Sequence, residues 1–452
     1  MIITACISII VLIIGWYFLR SFKESGLCLA VVWSSYATEQ LFQSKIGWFQ
    51  SHGSAFNIGV GCFVFLAIVY LLLSGKVKSA NLTTTAALYY ALLGWACLTY
   101  VWSIDQHTTY SYLKSSAPYM VVFAILSPYL IRSPKDLIKC ANGTIILGAF
   151  VLLGHAFTEF DGRSIRLRLS STEELGLNPL AVASLGGVVI ICTAFWIYQN
   201  RKARLLRLLI AGAIIALGLY TIVRSGSRGQ LLATVVALLI WIPITARTAM
   251  KRGTILALLS AVGIALGSIY MIDKLGWSGS WEVDRIENSF SGRLNTASSA
   301  LDVFVGGTSA QWLIGQGSSS SWISLGGYPH NVPVEILLEQ GLVGLLLFLG
   351  FVIGVMTEGF KILLNERVDQ SSRLVLGLIL CLFTFEGILL LKQGAFLGAT
   401  SFFGIGIAAA IIFKQIRRTQ RTIEEREKRQ KQMLYPMGEQ FGYYSRQPNQ
   451  LH

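Results

Sequence analysis

Charged residues are scarce in this sequence. Asp, Glu, Lys and Arg make up 13% of its 452 residues, whereas hydrophobic residues make up 54%. About a quarter of the residues of a soluble domain are charged, so the composition excludes a soluble binding or structural protein. Many apolar runs reach the ~17–25 residues that a helix needs to cross a bilayer. The composition therefore predicts an all-α polytopic integral membrane protein.

The sequence also lacks the patterns of a disulfide framework or a zinc site. None of its seven cysteines shows CxxC or Cys/His spacing. The first 19 residues have neither a basic leader nor a small-residue cleavage site. They predict a retained transmembrane helix rather than a removed signal peptide.

Apolar runs divide the chain into about 12–13 predicted membrane spans. The count depends on residues 26–42, a shorter and more polar candidate that contains Glu39. The other spans lie at 2–19, 56–74, 84–103, 110–131, 137–157, 179–198, 206–223, 231–249, 254–272, 341–360, 374–392 and 396–413. The predicted organisation is N-terminal helices over 1–157, a core with outer loops over 158–348, C-terminal helices over 349–413 and a basic tail over 414–452.

The distribution of charge predicts the topology. Lysine and arginine concentrate at 75–78, 132–135, 201–207, 251–252, 361–373 and beyond 414. The positive-inside rule places these segments in the cytoplasm, so the net charge of +14 reflects topology and no nucleic-acid partner is predicted. The opposite, outer loops are 158–178, 224–230 and 273–340, and the last holds three basic and seven acidic residues. Its length is typical of a functional segment, and its aromatic residues and glycines predict an ordered, helical loop.

The stretch "GYPHNVPVEILLEQG" contains His330, the only histidine of the long outer loop. Asn331 can cap a following helix, and Pro333 fits its first turn. A neutral imidazole at the membrane surface can accept a proton from a hydroxyl, which makes His330 a candidate base with Tyr328 and Asn331 beside it. The alternative is a surface histidine next to a helix cap.

Three glutamates in or beside apolar spans are further candidates. Glu335 and Glu339 are four residues apart and share one helix face. Either can orient the imidazole or handle a proton, or both simply face water. Glu386 lies deep in an apolar span, where an ionisable group indicates function or a structural pair with a neighbouring helix.

The positive-inside rule predicts few arginines on the outer face, so those that occur there are candidates for a function. Arg228 follows a tight Gly/Ser turn in "VRSGSRGQ", and Arg293 leads an amphipathic helix in "SGRLNTASSALDVF". Arg163, Arg166 and Arg168 lie in "GRSIRLR" of the first outer loop. A guanidinium suits a bidentate contact with phosphate, while an ion pair with an outer acid is the plainer alternative.

An ordered set of short motifs resembles the O-antigen ligase and polymerase superfamily of bacterial surface-polysaccharide assembly. The set comprises a Ser-Arg-Gly turn, an Arg-led helix, a Gly-x-Gly turn, a His-Asn…Glu-x-Gly-x-x-Gly signature and an Asn-Pro helix entry. The corresponding segments are "SGSRGQ" (225–230), "SGRLNTASSALDVF" (291–304), "LIGQGSSS" (313–320), "YPHNVPVEILLEQGLVGLLLF" (328–348) and "GLNPLAVASLGG" (176–187). The N-terminal spans resemble the family only in pattern.

The resemblance implies an inverting, metal-independent glycosyltransferase of the GT-C type, without cofactor, in the bacterial inner membrane. Its donor would be a glycan on undecaprenyl pyrophosphate, at the periplasmic face. By position, His330 would activate the acceptor hydroxyl, and Arg228 and Arg293 would hold the pyrophosphate. The outer loops contain no Asp-x-Asp, which is consistent with metal independence.

The acceptor is left open by the sequence. A second lipid-linked repeat would make the protein a polymerase, which "YPHN" slightly favours, and lipid A–core or a protein would make it a ligase. An arginine-then-ten-then-glycine spacing of some polymerases is absent. Membrane lipids and a chain-length regulator are further candidate partners. A lipid-linked-glycan flippase is the alternative of another class, but the two repeated halves typical of transporters are not evident.

Overall fold

The computed structural model of the chain describes residues 24–75, 83–156, 179–200, 204–245, 283–392 and 395–442, with the isolated positions 263, 267 and 270. The predicted span 2–19, the loop 158–178 and nearly all of the span 254–272 lie outside these residues. The described part of the chain is helical and contains no β-strand, which confirms the predicted all-α class.

The first half of the fold consists of helices α1 to α9. They span Ser25–Lys45 (α1), Gly47–Ser51 (α2), Gly53–Leu73 (α3), Thr84–Leu98 (α4), Gln106–Tyr119 (α5), Pro134–Ala156 (α6), Pro179–Gln199 (α7), Leu205–Arg224 (α8) and Arg228–Thr245 (α9). Helix α5 continues through a π-helical segment, Met120–Leu126, and a 3₁₀ turn, Ser127–Leu130. The predicted span 110–131 is therefore helical, but its hydrogen-bond pattern changes along its length.

The second half consists of helices α10 to α15. They span Val283–Val305 (α10), Ser309–Ile314 (α11), Ser320–Leu325 (α12), Val332–Leu364 (α13), Gln370–Leu390 (α14) and Thr400–Gly442 (α15). Helices α10 to α12 and the first nine residues of α13 lie within the loop 273–340, and the described part of this loop is therefore helical, as predicted. Helix α15 runs without a break from the last apolar span into the basic tail.

Within the described ranges, nine helices are long and apolar enough to cross a membrane. Helix α1 is not among them, although its 21 residues give a length of ~31 Å. It lies along α6, with Glu24 paired to Lys139 at 3.1 Å near one end and the Ala37 carbonyl 2.9 Å from His155 Nε2 further along. The segment 26–42 is thus part of the helix bundle despite its polar composition.

Small and aromatic side chains set the helix packing. Gly186 of α7 and Gly218 of α8 face each other so closely that a Cβ on either would press on the other's carbonyl oxygen. Close helix approach through small residues is typical of membrane bundles. In the centre, the rings of Phe383 and Phe402 stack with centroids 4.5 Å apart, and Tyr89 stacks on Phe403 at 4.6 Å. These contacts join α4, α14 and α15 into one core.

Candidate active site

The segment that carries His330 ends in a capped helix. Asn331 caps α13, because its side chain accepts a hydrogen bond from Val334 N at 3.2 Å, and Pro333 lies in the first turn. Both features confirm the predicted helix start. His330, just before the cap, has a backbone φ of 54°. Such a conformation is uncommon for a residue other than glycine and favours a functional constraint at this position.

Aromatic rings support the imidazole. Tyr328 meets His330 edge to face at 5.5 Å between ring centroids, and Trp322 of α12 packs on Tyr328 at 5.0 Å. No described residue hydrogen-bonds to the His330 ring, whose side chain is exposed. The imidazole is therefore oriented by packing, and its nitrogens are open to a ligand.

Arg228 is the first residue of α9. Gly226 takes a left-handed conformation with φ 64°, which ends α8, and Ser227 N donates to the Ile222 carbonyl at 3.3 Å. The chain reverses within three residues, so Arg228 lies at the N-terminus of an 18-residue helix. A helix N-terminus favours anions through its free N–H groups and its dipole. Arg224, on the preceding helix, instead binds the Ala156 carbonyl at 3.1 Å.

Lys392, just after the end of α14, contacts the helix that begins at Arg228. It lies two residues beyond α14, and its Nζ donates to Oε1 of the buried Gln230 at 3.0 Å. Gly229 makes this possible, because a Cβ at Gly229 would overlap Cδ, Cε and Nζ of Lys392. The neighbouring Leu391 carbonyl accepts a hydrogen bond from the Asn331 side chain at 3.4 Å. The end of α14 thus connects the Arg228 turn to the His330 segment.

The positive charges of this region act on one another. Burial, followed by the charges of Arg293 and Arg228, lowers the pKa of Lys392 to about 8. Partial burial and the charge of Arg293 likewise lower the pKa of His330 below its ordinary value, so the imidazole is neutral at neutral pH. No described carboxylate pairs with the exposed Arg293. Arg228, Arg293 and Lys392 form what we call the cation cluster.

Glu339 holds the turn before α12. Its carboxylate accepts from Ser319 N at 2.8 Å, from Ser321 N at 3.3 Å and from Ser321 Oγ at 2.5 Å. The side chain is only 4% exposed. The hydrogen bonds of Glu339 therefore come from the backbone of residues 319–321 and from the Ser321 hydroxyl, and Glu339 forms none with His330.

Two glycine conformations lock this turn to α13. Gly341 interrupts α13 with φ 69° and ψ −166°, and Gly315 has φ 78°. A Cβ on Gly315 would overlap the backbone of Glu339 and Gln340, while one on Gly341 would overlap the backbone of Leu313 and Gly315. The predicted span 341–360 begins at this kink, and the nine residues before it form a separate helical arm.

The remaining predicted glutamates lie on the same side of the bundle. Glu335, 3% exposed, accepts from Phe396 N at 3.0 Å, which ties the arm to the turn between α14 and α15. Glu386 faces a cavity between helices and makes no hydrogen bond or ion pair with a described residue. Among the described residues, no three His, Cys, Asp or Glu side chains converge to form a metal site.

The N-terminal helices also support the site. Ser318 of the turn bonds Thr99 Oγ1 at 2.7 Å, and its carbonyl accepts from Ser103 and Thr109. Trp95 Nε1 donates to the carbonyl of Gln340, the residue before the kink at Gly341, at 3.0 Å.

The structure thus brings His330, Asn331, Arg228 and Arg293 to one end of the bundle, which we call the site end. Arg166 and Arg168 lie outside the described residues. Sequence reasoning did not include Lys392 among the candidate site residues. The signal was present, since Lys392 is a cation at the predicted outer end of a span, as unexpected there as Arg228 and Arg293.

Fold and site together define a polytopic α-helical membrane protein with cations and a neutral histidine at one end. Residues 213–349 match the family model described as O-Antigen ligase. This match contains four of the five motifs and confirms the resemblance to the O-antigen ligase and polymerase superfamily. It supports a function of the ligase or polymerase type in polysaccharide assembly. No curated protein matches the chain.

Proposed function

We propose that this protein is a glycosyltransferase of bacterial surface-polysaccharide assembly. It transfers a glycan from undecaprenyl pyrophosphate to a sugar hydroxyl at the periplasmic face of the inner membrane, with inversion and without a metal ion. The cation cluster beside His330 is the observation that carries the proposal.

The cluster is electrostatically complementary to pyrophosphate. Three cations repel one another at the site end, and this repulsion contributes to the lowered pKa of Lys392. A bound dianion or trianion would relieve it, and the N-terminus of α9 would add N–H donors. Arg228 and Arg293 would contact the pyrophosphate through guanidinium groups and Lys392 through its ammonium group. Arg166 and Arg168 are candidates for further contacts.

His330 would act as the base. Its neutral imidazole accepts the proton of the acceptor hydroxyl while the hydroxyl oxygen bonds to the anomeric carbon of the donor. The bond from that carbon to the pyrophosphate oxygen breaks, and the electron pair leaves on the pyrophosphate. The cation cluster stabilises this charge, an effect typically worth ~3–4 kcal/mol per donor.

The other predicted residues would position the machinery. Tyr328 and Asn331 fix the segment on which His330 lies. The contacts of Glu339 favour holding the 319–321 turn over handling a proton, and those of Glu335 favour anchoring α13 to the turn after α14.

The acceptor decides between two activities. We favour a second lipid-linked repeat, hence a polymerase, because of the "YPHN" form of the His330 motif. The alternative is a ligase with lipid A–core or a protein as acceptor, which the description of the matched family favours. A chain-length regulator would be a partner of the polymerase.

Reconstitution tests the proposal. Purified protein in liposomes receives undecaprenyl-pyrophosphate-linked repeats with or without lipid A–core, and the products are separated on a gel. A ladder without lipid A–core indicates a polymerase, and product only with lipid A–core indicates a ligase. Movement of the lipid-linked glycan across the bilayer without any product would contradict the proposal and indicate a flippase.

A further inference from the structure

A cavity of about 590 Å³ lies beside the site and plays no part in the chemistry proposed above. It is lined by α1, α5, α7, α14 and the segment 395–401. Its volume falls within the ~300–1,000 Å³ of small-molecule sites. Leu389 and Leu390 line it, and the next residue, Leu391, is the one that Asn331 contacts. The cavity is therefore adjacent to the His330 segment.

The charge of the cavity argues against a phosphate as its occupant. Glu386 contributes a carboxyl group to the lining, and no Lys, Arg or His is among the described residues that line it. The cation cluster, by contrast, contains only positive groups. The two neighbouring sites thus have opposite electrostatic preferences, and an anion bound at one would not bind at the other.

The polar lining also argues against a hydrocarbon chain. Beside Glu386, the walls include the side chains of Gln40, Ser115, Ser116, Ser184 and Ser401. Ser115 Oγ already donates to the Tyr112 carbonyl at 3.0 Å, but Glu386 and Gln40 make no hydrogen bond with a described residue. A polyprenyl chain in this space would leave the carboxyl and amide groups of these two residues desolvated without partners, which is costly. The occupant that fits must itself offer several hydrogen-bonding groups.

Aromatic rings complete the lining. Trp33, Tyr36 and Tyr119 border the cavity, and Tyr36 and Tyr119 stack with centroids 6.2 Å apart and an interplanar angle of 17°. Rings beside a few convergent polar groups are typical of sites that bind small organic molecules. A sugar matches both the polar groups and the aromatic rings of the lining, because its hydroxyls bond to carboxyl and serine oxygens and its C–H faces pack on rings.

We infer that this cavity binds a sugar unit of the acceptor glycan, with Glu386 accepting hydrogen bonds from its hydroxyl or amino groups. The assignment of this sugar to the acceptor glycan rests on the proposed function. The binding of a neutral or amino sugar to the cavity can be tested without any transfer. Glu386 is then a specificity-determining residue and takes no part in bond making.

The first test is saturation-transfer difference NMR on the full chain in lipid nanodiscs. The probes are free glucose, galactose, mannose, rhamnose, glucosamine, N-acetylglucosamine and N-acetylgalactosamine, with undecaprenol as the competing lipid. We expect signal transfer to at least one sugar in the wild type and in Glu424→Gln, a matched control at the exposed ion pair with Arg367. In Glu386→Leu the affinity for that sugar should fall about tenfold or more, the scale of a lost hydrogen bond to a charged group.

A second variant, Ser184→Leu, fills the cavity without changing its charge and should weaken the binding of the same sugar. The inference is overturned if no sugar receives signal in the wild type, if both variants bind it normally, or if undecaprenol displaces it. Inorganic pyrophosphate should leave the sugar signal unchanged, because it binds at the cation cluster. Sugar binding without pyrophosphate binding would contradict the proposed function but would not contradict sugar binding in the cavity. In the transfer assay, Glu386→Leu should raise KM for the acceptor about tenfold with little change in kcat or in KM for the donor.

Discussion

Gly229→Ala is a sharp test of the cation cluster, because it moves Lys392 without changing any charged residue. The new Cβ would overlap the last three atoms of the Lys392 side chain. A flexible side chain can swing away at small cost, but its hydrogen bond to Gln230 is then lost. The ammonium group leaves the position that it shares with Arg228 and Arg293.

The expected loss follows from this geometry. Complete removal of one donor from a developing charge costs ~10²–10³ in kcat, which we expect for Lys392→Met. Displacement of a long side chain costs less, so we expect kcat/KM to fall about tenfold in Gly229→Ala, equivalent to ~1.4 kcal/mol. Stability should change little, since the preference of ~0.5–1 kcal/mol for alanine over glycine in a helix offsets part of the cost of the lost hydrogen bond.

The assay is transfer in liposomes together with the midpoint of thermal unfolding. Gly212→Ala is the matched control, because it makes the same change in α8, where a Cβ has no neighbour within 4 Å. It should keep the wild-type rate. Wild-type kcat/KM in Gly229→Ala, or an equal loss in Gly212→Ala, would refute the assignment of Lys392.

Three further predictions concern other parts of the site. His330→Ala should lower transfer by ~10²–10⁴ while the affinity for undecaprenyl pyrophosphate stays unchanged; normal turnover would contradict its role as base. Because partial burial and the charge of Arg293 lower the pKa of His330, the acid-side fall of the wild-type kcat/KM should come at a pH below the ordinary histidine range, and the alkaline fall should come above pH about 8 as Lys392 deprotonates. Lys392→Arg should move the alkaline decline upward because a guanidinium stays charged; an unmoved decline would exclude Lys392. Glu339→Gln should destabilise the fold by ~1.5–3 kcal/mol and lower the thermal midpoint, because it weakens the hydrogen bonds from Ser319 and Ser321. The control Glu424→Gln, at an exposed site, should cost under ~1 kcal/mol. Equal thermal midpoints in the two variants would show that the turn does not depend on the charge of Glu339.

Most membrane helices of the described chain could be predicted, because length and hydropathy are local properties. Helix α1 was ambiguous for the same reason. Ser34, Ser35 and Thr38 lower its hydropathy, yet each hydroxyl bonds a carbonyl of its own helix, so these side chains are satisfied within the bundle. Hydropathy counts the polar atoms and not their partners.

The start of α13 shows a second limit. The sequence located the cap at Asn331 but placed the span at 341–360, because glutamates precede Gly341. Both glutamates are buried through bonds to Ser319, Ser321 and Phe396, which come from other elements. Similarly, the meeting of Lys392 with Gln230 depends on the packing of α9 against α14 and leaves no local trace. Side chains within one motif were predictable, and contacts between motifs were not.

The bond between Glu335 and Phe396 N fixes when the site can be completed during synthesis. Glu335, which accepts this hydrogen bond, is translated 61 residues before Phe396, which donates it. Lys392 lies four residues before Phe396. His330 and both cluster arginines therefore leave the ribosome well before Lys392 and before Phe396, whose backbone amide anchors α13. A nascent chain that ends after α13 carries every residue of the His330 motif but lacks Lys392, and the cation cluster proposed to bind phosphate is therefore incomplete. In the proposed mechanism, competence for transfer is thus acquired only when the final membrane helix begins to enter the bilayer.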